Sequence, residues 1–292
     1  MSNPLITLRT ALQSCYPAGE ASAIARMVLT DSFGISPMDI YMGKDIHLSE
    51  NDEQKLENII LRLQKYEPVQ YVLGHTTFCG LRFQVNPNVL IPRPETAELV
   101  NLLLEEHPLP PHRVLDIGTG SGCIPITLSH HWPESHIEGW DISSEALEVA
   151  RKNNEAMRTH VQFYRHDILC PEKSPIPAEG GFDLIVSNPP YIKDSERTQM
   201  ERNVLDWEPE TALFVPDNDP LLFYRTIVTR AAEGLLNRGG HLYFETNRAH
   251  ATETARLMEE AGFTKVRLLQ DFYGNDRMVT GYFLGSTKKI MR

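Results

Sequence analysis

Cysteine is scarce and scattered: Cys15, Cys79, Cys123 and Cys170 include no C-x-x-C pair. That spacing argues against a zinc knuckle or a disulfide framework and fits a reducing, cytoplasmic setting. Positive charge is in deficit too. Lys and Arg number 28 against 39 Asp and Glu, a formal net charge of −11 with a pI near 5.5. So acidic a chain is a poor general binder of nucleic acid or anionic membrane, since either needs a basic face. The basic tail "STKKIMR" reads as a solvated terminus. No apolar run approaches the length of a membrane span. The opening "MSNPLITLRTALQSC" has no basic segment followed by a continuous apolar run, so no signal peptide is expected. There is no internal repeat and no low-complexity tract. His130 and His131 stand at a predicted helix end with nothing nearby to complete a ligand set, so no metal site is expected. What is present is an ordinary globular composition, 41% hydrophobic and 23% charged over 292 residues, enough for one large domain and a smaller one.

The organisation changes along the chain. Residues 1–75 read as a small helical bundle, with apolar residues three and four apart in "LITLRTALQSC" and "EASAIARMVLTDSFG". In "LSENDEQKLENIILRLQKYEP", Ser49 with Asp52 three residues later is a candidate N-terminal cap, Leu56, Ile59, Ile60 and Leu63 form the apolar face, and Pro68 stops the helix. Residues 76–92, "TTFCGLRFQVNPNVLIP", carry Phe78, Leu81, Phe83 and Val85 around Gly80, which predicts a β-hairpin linking two domains. A helix, "RPETAELVNLLLEEH", opens the second domain, 93–292. Strands and helices then alternate: "RVLDIG", "CIPITLSHHW", "HIEGWD", "SSEALEVARKNNEAM", "VQFYRHD", "FDLIVSN", "LLFYRTIVTRAAEGLL", "GGHLYFET", "ATETARLMEEAGF", and two closing strands, "TKVRLLQD" and "RMVTGYFL". That order predicts an α/β fold, a mostly parallel sheet with helices on both faces. Ligands of such sheets bind beyond the C-terminal strand ends, so those ends carry the functional reading.

At the first end, "LDIGTGSGCI", Asp116 precedes Gly118, Gly120 and Gly122, whose freedom allows a tight turn and close backbone approach to a ligand. The strict alternation differs from the G-x-G-x-x-G of dinucleotide sites, and a generic glycine-rich turn is the alternative. At the second, "EGWDIS", Asp141 stands about 20 residues further on, where an acid commonly takes a ribose hydroxyl pair. The alternative is a helix cap, a role Ser143 or Ser144 fills equally well. With no nearby arginine for a ribose phosphate, the two acids favour an adenosine ligand without a 2′-phosphate. At the third, "FYRHDIL", Asp167 is placed to accept from an adenine amino group with Ile168 flanking the ring; an ordinary strand–loop junction reads equally well.

The fourth end is "SNPPY". Pro189 and Pro190 cannot continue a sheet ladder. If the cofactor is S-adenosylmethionine, its methyl points past this strand, and the nucleophile must be presented there. The Asn188 side-chain carbonyl and the Pro189 backbone carbonyl are two acceptors that can hold both hydrogens of one –NH₂ group. An amide nitrogen is a weak nucleophile because its lone pair is delocalised. Gripping both N–H bonds orients the lone pair toward the methyl carbon and stabilises charge that develops on nitrogen. Tyr191 is placed to stack on the planar group that bears the nitrogen. The alternative is a proline-rich turn after a strand.

"LDIGTGSG", "SNPPYI", "LIPRPETAELV", "PVQYVLG" and "WEPETALF" together resemble the bacterial glutamine methyltransferases of peptide chain release factors, over nearly the whole chain. The resemblance implies a Rossmann-like class I S-adenosylmethionine-dependent methyltransferase sheet, a small N-terminal helical substrate-recognition domain over 1–75, and a β-hairpin linker. It implies that Gly118, Thr119, Gly120, Ser121, Gly122 and Asn188 line the cofactor, that Asp141 takes the ribose hydroxyls, and that Asn188, Pro189, Pro190 and Tyr191 hold the target glutamine, with Asn188, Pro189 and Tyr191 as the catalytic set. Where the family often has an aromatic residue after the acid of the third strand end, this chain has Ile168. The implied partner is a class 1 release factor, through the glutamine of its Gly-Gly-Gln loop, and the implied form is a cytoplasmic monomer. A glutamine methyltransferase of a large-subunit ribosomal protein shares the active-site motif. A nucleic-acid adenine methyltransferase shares NPPY but should carry a basic target-recognition region. A scaffold that only binds would not need an intact Asn188-Pro189-Pro190-Tyr191.

Overall fold

Apolar spacing of three and four builds the first unit of the chain, described here from a computed structural model that covers residues 3–170 and 180–285. The tail "STKKIMR" lies outside the described residues. Unit one comprises residues up to Thr76 together with Met200–Trp207. Its helices are α1 (Pro4–Leu12), α2 (Ala18–Phe33), α3 (Pro37–Tyr41), α4 (Glu50–Leu63) and α5 (Val69–Leu73). Leu8, Leu12, Ala25, Val28, Leu29, Leu56, Ile59 and Leu63 bury into one core. Ser49 caps α4 reciprocally: its hydroxyl oxygen accepts from the Asp52 N–H at 3.2 Å and donates to Asp52 Oδ2 at 2.7 Å. The later segment joins this unit locally, with the Trp207 indole donating to the Lys65 carbonyl at 3.2 Å and the Arg202 guanidinium 4.3 Å from the Tyr66 ring centre.

Unit two takes Thr77–Gln199 and Glu208 onward. A hairpin pairs β1 (His75–Phe78) with β2 (Leu81–Gln84). Then come α6 (Pro94–Glu106), β3 (Arg113–Ile117), α7 (Cys123–His131), β4 (His136–Asp141), α8 (Ser144–Met157), β5 (Gln162–Arg165), β6 (Phe182–Ser187) and the short β7 (Ile192–Lys193). A short helix of unit one, α9 (Arg202–Leu205), precedes α10 (Glu210–Leu213), β8 (Phe214–Val215), α11 (Leu222–Arg230), β9 (Leu236–Glu245), α12 (Ala251–Glu260), β10 (Phe263–Gln270) and β11 (Asp276–Phe283). The seven-stranded sheet runs β10-β11-β9-β6-β3-β4-β5. β11 alone runs against the others, since its two pairings are antiparallel and those of β9, β6, β3, β4 and β5 are parallel.

The period-2 alternation of the strands sorts the core into two layers. Val114, Leu184, Val186 and Tyr243 face α6, α7 and α8, while Leu115, Ile117, Ile185, Leu242 and Phe244 face α11 and α12. The α/β class read from the alternation is therefore the observed one. The β-hairpin expected within 76–92 is present, as β1 and β2, and it packs on the second unit. Phe78 and Phe83 bury in the α6–α8 layer, and the Asn153 side chain of α8 pairs with both backbone groups of Gln84, at 2.7 and 3.1 Å. Two segments end earlier than their patterns. β5 stops at Arg165, where His166 turns to donate to the Asp141 carbonyl. α11 stops at Arg230, followed by a wider turn in which Gly234 takes φ 116°.

The strand order reverses between β3, whose following strand β4 lies on one side, and β6, which lies on the other. Register puts Ile117 beside Trp140 and Ser187, so the ends of β4, β3 and β6 meet at one edge. This is the switch point at which doubly wound sheets bind ligands.

Candidate active site

The β3 end turns on glycines whose backbone no other residue adopts easily. Gly118, Gly120 and Gly122 have φ of +78°, +52° and +78°. Gly118 and Thr119 both donate to the Trp140 carbonyl, at 2.8 and 3.0 Å, which ties the turn to β4. Gly122 serves packing, because a Cβ there would sit 2.8 Å from Ile126 Cδ1 and 3.2 Å from both Ala150 Cβ and Phe163 Cζ. Gly139 of β4 is equally enclosed: a Cβ would lie 2.7 Å from Phe163 Cε1 and 2.8 Å from Thr119 Oγ1. Behind the turn, Asn153 Nδ2 donates to the Ser121 carbonyl at 2.9 Å, so one buried amide holds both hairpin and glycine turn.

A cavity of about 320 Å³ opens at this edge. Of the residues expected to form a site, Gly118, Gly120, Asp141, Asp167, Ile168, Asn188, Pro189 and Pro190 line it. Thr119 and Ser121 are buried within the turn, and Gly122 lies at the start of α7. Tyr191 is not among the lining residues; it packs beside the α11–α12 layer, and its hydroxyl donates to Glu245 Oε1 at 3.4 Å. Burial and the Glu245 charge raise the Tyr191 pKa, so the phenol stays protonated.

Asp141 Oδ2 accepts from the Gly120 N–H at 2.8 Å and Oδ1 from the Ser143 N–H at 2.9 Å. The cap of α8 is Ser143, whose hydroxyl accepts from Ala146 at 3.0 Å. Asp141 is thus free of the helix-cap role and faces the cavity. Burial raises its pKa, opposed by the backbone donors of Ser143, Gly120 and Ile142. Asp167 accepts from the Leu169 N–H at 3.0 Å through Oδ1, and the Trp140 and neighbouring His166 rings meet tilted by 48° with centres 4.3 Å apart.

Asp116 is the acid singled out before the glycine run, whereas Thr96, Glu208 and Glu245 are not among the site residues expected from sequence. Asp116 is wholly buried, and neither carboxylate oxygen meets hydrogen-bond geometry with a described residue. Burial pushes its pKa up to about 7; the nearby Thr119 hydroxyl partly opposes this, and the Asp141 charge adds to it. Its place one residue from the glycine run was the available signal. Asn188 Nδ2 donates to Thr96 Oγ1 at 3.1 Å, and Thr96 Oγ1 donates to Glu245 Oε2 at 2.6 Å. An acid inside the apolar strand "HLYFET" was the signal for Glu245. Glu208 pairs with the Arg93 guanidinium and accepts from the Ile91 N–H at 3.1 Å. It therefore joins the segment before α6 to the segment at α10, and Val89, Leu90, Pro209 and Phe214 of those segments line the cavity.

The donor set fits an adenosyl cofactor that carries positive charge. A glycine turn, the Asp141 carboxylate and apolar walls at Ile142 and Ile168 meet around one cavity, and the orphaned Asp116 carboxylate is buried one residue before the lining Ile117. No group of three or more His, Cys, Asp or Glu side chains among the described residues is arranged to hold a metal ion, and no helix there is long and apolar enough to cross a membrane.

Comparison with known proteins adds two family models, "Methyltransferase small domain" over residues 96–206 and "PrmC N-terminal domain" over residues 5–74. A "Release factor glutamine methyltransferase" of Bacteroides thetaiotaomicron is 51% identical over 94% of this chain and 96% of its own. That of Flavobacterium psychrophilum is 40% identical over 92% and 94%. Among solved structures, a 16S rRNA methyltransferase of Thermus thermophilus in complex with AdoMet and guanosine shares the fold, with a TM-score of 0.50 and 18% identity over 72% of this chain and 49% of that one.

Proposed function

The chain belongs to the release factor glutamine methyltransferases, and from that premise we propose that it transfers a methyl group from S-adenosylmethionine to the side-chain amide nitrogen of the glutamine in the Gly-Gly-Gln loop of a class 1 release factor. The observation that carries this reading is that Asn188 and Pro189 line the same cavity as Gly118, Gly120 and Asp141. Acceptors for an –NH₂ group and a cradle for an adenosyl group therefore share one space.

When bound, S-adenosylmethionine supplies an electrophilic methyl on a sulfonium. The glycine turn lets backbone approach it, Asp141 accepts from the ribose hydroxyls, and the Asp116 carboxylate complements its positive charge. Asp167 and Ile168 stand at the adenine end. Asn188 and Pro189 present carbonyl oxygens to the two hydrogens of the glutamine amide, which holds the nitrogen lone pair toward the methyl carbon. Those acceptors also stabilise the charge that builds on nitrogen. No strong base is required, since the proton leaves after transfer. Pro190 fixes the backbone of the loop, and Tyr191, outside the cavity lining, holds Glu245 through its hydroxyl.

Unit one serves recognition of the release factor. A glutamine side chain offers too little surface to be chosen from all others in a cell, so selection needs a protein–protein contact away from the chemistry. The exposed Met38, Tyr41 and Met42 of the α3 region are one apolar surface that unit one offers for it, beside the separately exposed Ile6, Met27 and Leu61. The setting is the cytoplasm and the acting form a monomer. Incubation with methyl-labelled S-adenosylmethionine and three candidates in parallel, a class 1 release factor, ribosomal proteins and DNA, tests the reading. Label on the release factor alone supports it, and label on a ribosomal protein or DNA replaces it.

A further inference from the structure

The two ends of an asparagine amide have nearly the same shape and opposite hydrogen-bonding character. Presented to a glutamine –NH₂, the carbonyl oxygen accepts, whereas the NH₂ end would meet donors with donors. The activity proposed for Asn188 therefore depends on which way its amide is turned, and something must fix that choice.

The Asn188 Nδ2 group donates to Thr96 Oγ1 at 3.1 Å. A hydroxyl can donate as well as accept, so Thr96 by itself cannot discriminate between the two orientations. The next bond does. Thr96 Oγ1 donates its only proton to Glu245 Oε2 at 2.6 Å, the length of a bond to a charged acceptor. With that proton committed, the hydroxyl offers Asn188 only lone pairs, and only the NH₂ end of the amide is attracted. The carbonyl end accepts from no described residue, in a side chain that lines the cavity.

We infer that Thr96 and Glu245 are positioning residues that set the direction of the Asn188 amide, so that its carbonyl oxygen is the end presented to the substrate nitrogen. The inference rests on the reading of Asn188 given above. It spans elements far apart in sequence: Thr96 lies in the first turn of α6 and Glu245 at the end of β9. The surroundings of Glu245 fit the task. It is 1% exposed. Tyr191, from the loop after β6, donates to its Oε1, and Tyr224 of α11 donates to its backbone carbonyl at 3.3 Å. Arg277 of β11 acts on it with positive charge and Glu95 of α6 with negative charge.

The charge of Glu245 gives the relay its direction. Burial pushes its pKa up to about 7, against the opposing effects of Thr96, Arg277 and Tyr191 and with the added effect of Glu95. Above that value the carboxylate can only accept, and Thr96 must point toward it. Below it, a protonated Glu245 can donate to Thr96, the Thr96 proton turns to Asn188, and the amide reverses. Methyl transfer at saturating substrates should therefore rise with pH through one ionisation in the neutral range.

The test uses the full-length chain with a purified class 1 release factor and saturating S-adenosylmethionine. Thr96→Val, which keeps the side-chain shape and removes the hydroxyl, is expected to lower kcat at least ~10-fold while affinity for S-adenosylhomocysteine stays within about 2-fold. Thr96→Ser, which restores the hydroxyl, should return kcat to within about 3-fold of the parent. Glu245→Gln should lower the plateau and flatten the neutral-range pH profile. Parental kcat in Thr96→Val, a Thr96→Ser variant as poor as the valine, or an unchanged pH profile in Glu245→Gln would each overturn the inference. Asn188→Ala in the same assay separates the two levels. If it is inactive while Thr96→Val is fully active, only the positioning role fails. If it keeps parental turnover, the reading of Asn188 fails and the inference with it.

Discussion

Replacing Asp116 with Asn keeps the shape of a wholly buried side chain and removes its capacity to ionise. Neither carboxylate oxygen meets hydrogen-bond geometry with a described residue, and burial, only partly opposed by the nearby Thr119 hydroxyl, lifts the pKa from 3.8 to about 7. Below pH 3.8 the acid is neutral in both folded and unfolded chains and costs little. As pH rises above that point the unfolded chain ionises first, so folding loses about 1.4 kcal/mol per pH unit until the folded group also ionises near 7. The accumulated loss is about 4 kcal/mol, a large share of an ordinary domain's stability. Asp116→Asn escapes it. Its stability advantage over the parent should grow from about 2 kcal/mol at pH 5 to about 4 kcal/mol at pH 8. Urea unfolding of both proteins at the two pH values measures this, with the pairwise difference cancelling the other carboxylates. If Asp116 complements the sulfonium as proposed, the same substitution should also weaken S-adenosylmethionine binding at least ~10-fold. Equal stability of the two proteins at both pH values would refute the reasoning, since it would mean that the buried charge is already compensated.

Asp141→Ala should weaken S-adenosylhomocysteine binding by about 1.5–3 kcal/mol in calorimetric titration, the scale of hydrogen bonds to a charged group; unchanged affinity in a folded variant would confine Asp141 to holding Gly120 and Ser143. Gly139→Ala should lower stability by about 1–3 kcal/mol through overpacking against Phe163 and Thr119, read as a fall in melting temperature; an unshifted transition would show that this contact yields. Paired substitution of the exposed Tyr41 and Met42 by Ser should raise KM for intact release factor at least ~5-fold and leave methylation of a short Gly-Gly-Gln peptide unchanged; equal effects on both substrates would remove unit one from recognition.

What could be read from sequence was what is local. The glycine alternation, Asp141 and the Asn188-Pro189-Pro190 corner each sit within a few residues of a strand end, and the strand–helix alternation made those ends recognisable. Partners brought together by the fold were not legible. Thr96 and Glu245 are 149 residues apart in sequence, and nothing in "RPET" or "HLYFET" names the other. The hairpin is legible from period-2 alternation, but that alternation does not say that Phe78 and Phe83 pack in the α6–α8 layer. Met200–Trp207 joins unit one through Trp207 and Arg202, contacts that leave no trace in periodicity. The hydrogen bond from the Tyr191 hydroxyl to Glu245 is likewise absent from the motif itself.

On the proposed function, Asn188 orients a glutamine amide nitrogen for methylation. The direct measurement is peptide mass spectrometry of a class 1 release factor after incubation with isotopically labelled S-adenosylmethionine and either the parent protein or Asn188→Ala. One labelled methyl is expected on the side-chain nitrogen of the Gly-Gly-Gln glutamine with the parent, and a rate at least ~10²-fold lower with Asn188→Ala at unchanged cofactor affinity. Label on any other residue, or parental rates from Asn188→Ala, would contradict it.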